Sequence, residues 1–126
     1  MITGHIQRVF AYGAPVDMRK GFDGLYTLVK ESLGRDPLSG DLYLFVSRNR
    51  IRAKVLLWDG TGLCVYAKRL EKGRFAELWA VAADGYLSLS ASELQLFLEG
   101  CQIVGRHPLS PAPLRPKNLL LSRDLR

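Results

Sequence analysis

With 126 residues, 48% of them apolar, the chain is long enough to bury one core without metal or disulfide support and too short for a second full domain. A charged fraction of 24% excludes global disorder, and no apolar run approaches the roughly 20 residues a membrane helix needs. The formal charge is +6, and Cys64 and Cys101 stand apart from any CxxC or Cys/His cluster, which excludes a disulfide framework and a zinc site. Both thiols are expected to be buried, and the N-terminus lacks the basic-then-apolar layout of a signal peptide, so a cytoplasmic protein is expected.

In chain order, His5 to Tyr12 is rich in Ile, Val, Phe and Tyr and reads as a first strand ended by Gly13-Ala14-Pro15. Phe22, Leu25, Val29 and Leu33 then recur at helical spacing, with Asp17 or Asp23 as N-cap and Gly34 as the stop. Leu42 to Trp58 reads as two strands joined at Arg48 and Asn49. A two-residue turn there sets Val46 opposite Ile51, Leu44 opposite Ala53 and Leu42 opposite Val55, a wholly apolar face. The other face carries Tyr43, Phe45, Arg52, Lys54, Leu56 and Trp58. After Asp59-Gly60-Thr61-Gly62, a three-residue loop with Gly62 left-handed would add Leu63, Val65 and Ala67 to the apolar face and bring Lys68 opposite Lys54, a placement that needs an anion, an acidic neighbour or solvent.

Glu71 to Arg74 is a charged turn, and Phe75 to Ala83 fits a short helix or a loop. Tyr86 to Leu89 is a last short strand. Ser90 with Glu93 three residues on is a capping-box signature, followed by Leu94, Phe97 and Leu98 on one helical face and Gly100 as the stop. Four prolines from Pro108 to Pro116 predict an extended basic tail. The expected architecture is α+β: a mainly antiparallel sheet with two helices packed on one face, in a single domain over residues 1–105, with the tail over 106–126.

The charge is concentrated. Residues 48–74 hold eight Lys or Arg against Asp59 and Glu71, a local net of +6, and residues 106–126 hold five against Asp124, a net of +4, while the rest of the chain nets −4. Such a stripe attracts polyanions through counterion release. The candidate nucleic-acid contacts are Arg48, Arg50, Arg52, Lys54, Lys68, Arg69, Lys72 and Arg74, of which those in turns are best placed for phosphates. Tyr43, Phe45, Trp58 and Tyr66 interleave with these cations, as a base-stacking platform or as a second core layer. Arg19 and Lys20 at a helix start are a possible phosphate site, or solvated cations beside a cap. Arg115, Lys117, Arg123 and Arg126 of the tail either clamp DNA or are solvated. Asp59 belongs to turn chemistry. No carboxylate set gathers two metals, His5 and His107 lack a nucleophile partner, and no GxxxxGK[ST] loop occurs, so no enzyme, cofactor or metal is expected.

Four blocks carry a resemblance: Asp17 to Leu25 (DMRKGFDGL), Gly34 to Gly40 (GRDPLSG), Lys54 to Cys64 (KVLLWDGTGLC) and Tyr66 to Phe75 (YAKRLEKGRF). In this order they resemble the accessory-protein family, called TnpB, that insertion-sequence sixty-six elements encode beside their transposase. The likeness runs from about residue 5 to 105 and departs over Ala76 to Ala82, where the family more often has a Trp-Pro link, and after Gly100. It implies a helper of transposition. Joined to the charge, it gives the leading expectation: a non-catalytic protein that binds DNA through a basic hairpin surface and supports assembly of the transposase complex, with DNA, the transposase and the other accessory protein as partners and no membrane. The alternative is an adaptor that binds the transposase without touching DNA.

Overall fold

The computed structural model describes residues 7–82 and 84–101. Strand β1 (Val9–Tyr12) leads to helix α1 (Phe22–Thr27), which runs on as a π-helical stretch over Leu28–Ser32. Strands β2 (Leu42–Val46), β3 (Arg52–Trp58) and β4 (Leu63–Arg69) form two hairpins. A 3-10 turn (Leu78–Ala80) then precedes β5 (Tyr86–Leu89) and helix α2 (Ala91–Leu98). One sheet results, in the order β4-β3-β2-β1-β5, with β1 and β2 parallel and the other pairings antiparallel. The parallel pair follows from α1, because parallel neighbours need a crossover and the chain supplies a helical one. The architecture is α+β with a mainly antiparallel sheet. His5 and the whole 106–126 tail lie outside the described residues.

The helices do not share a face. Val9, Ala11, Leu44, Val46, Ala53, Val55 and Leu89 pack with Leu94 and Phe97 of α2 and with Phe75 and Leu78. Phe10, Tyr43, Phe45 and Leu56 pack on the opposite side with Leu25 of α1, Val29 of its π-helical continuation and Val16. The expectation of two helices on one face is corrected, and the reason is visible in Leu42-Tyr43-Leu44-Phe45-Val46: neither parity of this strand holds a polar residue, so both faces need a cover. Tyr43 through Val46 are each 0% exposed.

Both hairpin registers differ from the simplest reading. In the first, Val46 lies opposite Ala53 and Leu44 opposite Val55. Ser47 donates its backbone N–H to the Arg52 carbonyl (3.0 Å), so residues 48–51 form the loop, with Arg50 left-handed (φ 61). This is two residues from a two-residue turn, and an even shift keeps every side chain on its expected face. The second hairpin differs by an odd shift. Trp58 pairs with Leu63 and Val55 with Tyr66, Gly60 and not Gly62 takes the left-handed position (φ 106), and the faces of β4 exchange. Leu63 and Val65 therefore pack on the α1 side, while Cys64 and Tyr66 lie on the α2 side. The loop is held by Asp59, whose carboxylate accepts the backbone N–H groups of Thr61 (2.9 Å) and Gly62 (3.0 Å) and the Thr61 hydroxyl (3.1 Å).

The capping box at α2 is formed: Ser90 Oγ accepts the Glu93 N–H (3.0 Å) and Glu93 Oε1 accepts the Ser90 N–H (2.8 Å). Phe97 stacks on Phe75 with centroids 5.1 Å apart. At α1 neither expected aspartate caps. Gly21 holds the N-cap position without a side-chain bond, and Asp17 is engaged by Arg19 instead. Gly34 (φ 64) ends the helix as expected, with Arg35 N–H closing on the Val29 carbonyl (3.1 Å). Cys64 is half-buried and Cys101 exposed, so neither thiol is a fully buried core group. Among the described residues no helix is long and apolar enough to cross a membrane.

This packing ranks three substitutions. Leu44→Asp sets an unpaired carboxylate beneath α2 and is expected to abolish the cooperative unfolding transition. In denaturant titrations Phe97→Ala should cost about 3–5 kcal/mol and Ser90→Ala about 1 kcal/mol; equal costs for the last two would contradict this account of α2.

Candidate nucleic-acid interface

The loop after β2 and the segment leaving β4 lie side by side. Leu70 donates its N–H to the Ile51 carbonyl (2.8 Å), and Phe75 donates its own to the Arg50 carbonyl (2.7 Å). Arg50 Nη1 returns a bond to the Phe75 carbonyl (3.3 Å), and Phe75 is itself fully buried. Arg52 and Arg69 are direct partners across β3 and β4. Arg48, Arg50, Arg52, Arg69, Lys72 and Arg74 are thereby gathered at one end of the sheet, the end opposite the Asp59 loop. All but the half-buried Arg50 are exposed.

Lys54 and Lys68 are not part of that cluster. They occupy opposite faces, because Lys54 pairs with Ala67 and Lys68 with Ala53, and so the expected clash of like charges does not arise. Lys54 Nζ donates to the carbonyls of Met18 (2.9 Å) and Lys20 (2.8 Å), fastening the segment before α1 over the sheet. Lys68 Nζ donates to the Leu98 carbonyl (2.7 Å) at the end of α2, where a cation suits the helix dipole. Both ammonium groups are half-buried and spent on backbone oxygens.

The segment that Lys54 holds brings Arg19 to the same end. An open concavity of about 850 Å³ is lined by Arg19, Arg48, Arg52 and Arg69, with Asp17 and Asn49 among the other walls. Separation in the chain hides this association of Arg19 with the hairpin arginines; the Val16 N–H bond to the Val46 carbonyl (2.9 Å) and the Lys54 bonds together hold it. Two of the four are paired: Arg19 with Asp17 (2.7 Å) and Arg69 with Glu71 (3.2 Å). Arg48, Arg52 and Lys72 make no ion pair among the described residues. The Arg19 N–H donates to Asp17 Oδ1 (2.9 Å), so at this possible phosphate site a carboxylate of the chain already sits against Arg19.

The ring platform does not assemble. Tyr43 and Phe45 are buried on the α1 side, and Tyr66, 54% exposed, projects from the α2 side. There it borders an apolar groove of about 260 Å³ with Leu42, Val55, Leu57, Cys64, Leu94 and Leu98. Two further arginines are engaged elsewhere: Arg35 lies 3.9 Å from the Phe10 ring centroid, and Arg8 pairs with the fully buried Asp41 (3.0 Å). Among the described residues no group of three or more His, Cys, Asp or Glu side chains could hold a metal.

The family model described as "IS66 Orf2 like protein" matches residues 7–108. The chain belongs to this family. The uncharacterized protein y4hO of Sinorhizobium fredii is 39% identical over 106 residues, covering 84% of this chain and 89% of that protein. The uncharacterized protein y4jC of the same organism is 36% identical over 93 residues, covering 74% and 78%. No solved structure matches. The membership ties this IS66 Orf2-like protein to insertion-sequence transposition, as the four sequence blocks imply.

The electrostatics at the two ends of the hairpins differ in cause. The Arg19 guanidinium, then its backbone N–H, hold the Asp17 carboxyl down at about 2. Asp59 also lies at about 2, but through the N–H groups of Thr61 and Gly62 first. Partial burial first, and then the Asp59 carboxylate, push the Cys64 thiol up. Each carboxylate favours the folded state above the ordinary aspartate range and loses that contribution as the pH falls toward 2. In a ¹³C carboxyl titration both midpoints should fall near 2. Arg19→Gln should return Asp17 toward 3.8 and leave Asp59 in place; a joint shift, or none, would contradict the separate causes.

Proposed function

We propose that this protein is a non-catalytic accessory factor of IS66-type transposition that binds DNA through the arginine end of its β2, β3 and β4 strands and so supports assembly of the transposase complex. The observation that carries this reading is the convergence of Arg48, Arg52, Arg69 and Lys72 on one end of the sheet, three of them without an acidic partner among the described residues. A rigid array of cations on strand ends and backbone-locked loops is a phosphate-contacting surface. Neither helix offers a means of reading bases, since α2 (ASELQLFL) contains no basic residue, α1 with its π-helical continuation holds Lys30 alone, and the buried apolar residues of both are committed to the sheet. The binding is therefore sequence-tolerant and steeply salt-dependent.

A second reading, a protein adaptor without DNA contact, is favoured by the apolar groove beside Tyr66 and α2. A pull-down of the element-encoded proteins with and without nuclease separates the two: partner capture that survives nuclease supports the adaptor.

Charge reversal gives a direct test. Arg50 is left out because its guanidinium closes on the Phe75 carbonyl and its φ is positive, so replacing it would disturb the loop itself. The triple variant Arg48→Glu, Arg52→Glu, Lys72→Glu should stay folded, since exposed side chains add little to the core. It should weaken duplex binding roughly tenfold or more and flatten the log–log salt slope by roughly three. A folded triple variant with undiminished DNA affinity would falsify the placement of the surface, and undiminished transposition would count against DNA binding as the function.

A further inference from the structure

The arginine concavity already contains an anion of the chain's own. We propose that Asp17 is a tethered stand-in for a DNA phosphate: it holds Arg19 ready in the concavity, and a backbone phosphate of duplex DNA takes its place on binding. The inference rests on the DNA-binding reading above.

The geometry of Asp17 is that of a bound oxyanion. Its two oxygens accept Arg19 Nε (3.1 Å to each) and Nη2 (2.7 Å), and Oδ1 also accepts the Arg19 backbone N–H (2.9 Å). A guanidinium fork with an adjacent amide is equally suited to phosphate. The pair is open to exchange, because the Arg19 side chain is 91% exposed and that of Asp17 46%, so neither charge is stranded in a dry interior when they part. The backbone that carries Arg19 has a second anchor besides the Asp17 carboxylate, since Lys54 holds the carbonyls on either side, Met18 and Lys20. Arg48 and Arg52, in the same concavity and without an acidic partner among the described residues, supply a field that favours a second anion.

The class of ligand follows from what lines the concavity. Arginines and short polar groups are present, and no aromatic ring is among the lining residues. Single-stranded nucleic acid is held by stacking bases on rings, whereas a duplex keeps its base faces stacked inside and turns its phosphates outward. A tethered carboxylate also gives selectivity, since a polyanion that engages Arg48 and Arg52 at once displaces it more readily than a lone anion does.

The test is a double-mutant cycle on the full chain, with fluorescence anisotropy of a labelled duplex measured across a salt series. Asp17→Asn should tighten binding about two- to fivefold at low salt, the scale of one exposed ion pair, and leave the salt slope unchanged, because Arg19 meets a phosphate in both proteins. Arg19→Gln should flatten the slope by about 0.9, one phosphate contact. In the Arg19→Gln background Asp17→Asn should gain nothing. An equal gain with and without Arg19 would mean that Asp17 acts only through net charge, and an unchanged slope in Arg19→Gln would mean that Arg19 never leaves Asp17; either overturns the exchange while DNA binding stands. Tighter binding to a single strand of the same length overturns the assignment to duplex. A wild-type chain that binds no DNA at any salt removes the underlying reading and the exchange together.

Discussion

Strand β2 is buried on both faces and flanked on both edges, and most of the molecule's other arrangements follow from that constraint. Its neighbours β1 and β3 complete its hydrogen bonding, α2 with Phe75 and Leu78 covers Leu44 and Val46, and α1 covers Tyr43 and Phe45. A charged head could not remain in the middle of either layer without a partner. The cations of the 48–74 stretch must therefore leave through the strand ends or find backbone oxygens at the margins.

Both outcomes occur, and they divide the basic residues by role. Lys54 and Lys68 sit one or two residues in from the strand ends at Arg52 and Arg69, and each uses its reach to bind carbonyls of the segment packed on its own side. One fixes the approach to α1, and the other closes the end of α2. Arg48, Arg52, Arg69 and Lys72 lie at or beyond the strand ends, where the guanidinium forks and the Lys72 ammonium suit phosphate and solvent alike. The structural lysines thus set the geometry in which the arginines act, most directly where Lys54 carries Arg19 into the concavity.

Much of this was legible in the chain itself. The capping box at Ser90, the stop at Gly34 and the Asp59 turn rest on local chemistry and occur where expected. The gathering of the turn arginines was legible because residues 48–51 and 71–74 flank consecutive strands. The face of β4 was not, since it depends on whether Gly60 or Gly62 adopts the left-handed conformation, and one residue of loop length inverts every side chain that follows. Of the two readings open for Tyr43 and Phe45, a stacking platform or a second core layer, the core layer is the one found, as an all-apolar strand that demands cover on both sides requires. Arg19 joining the hairpin cluster depends on long-range bonds of Val16 and Lys54 that no local pattern encodes.

The proposed DNA-binding surface lies at one end of the sheet and not at the other, and amide chemical-shift mapping during titration with a short duplex distinguishes the two ends. The account predicts shifts confined to residues 15–20, 47–52 and 69–74, suppressed by salt, with the Asp59 loop and α2 unmoved. Shifts centred on the Asp59 loop or on the groove beside Tyr66, or no shifts at low salt, would contradict it.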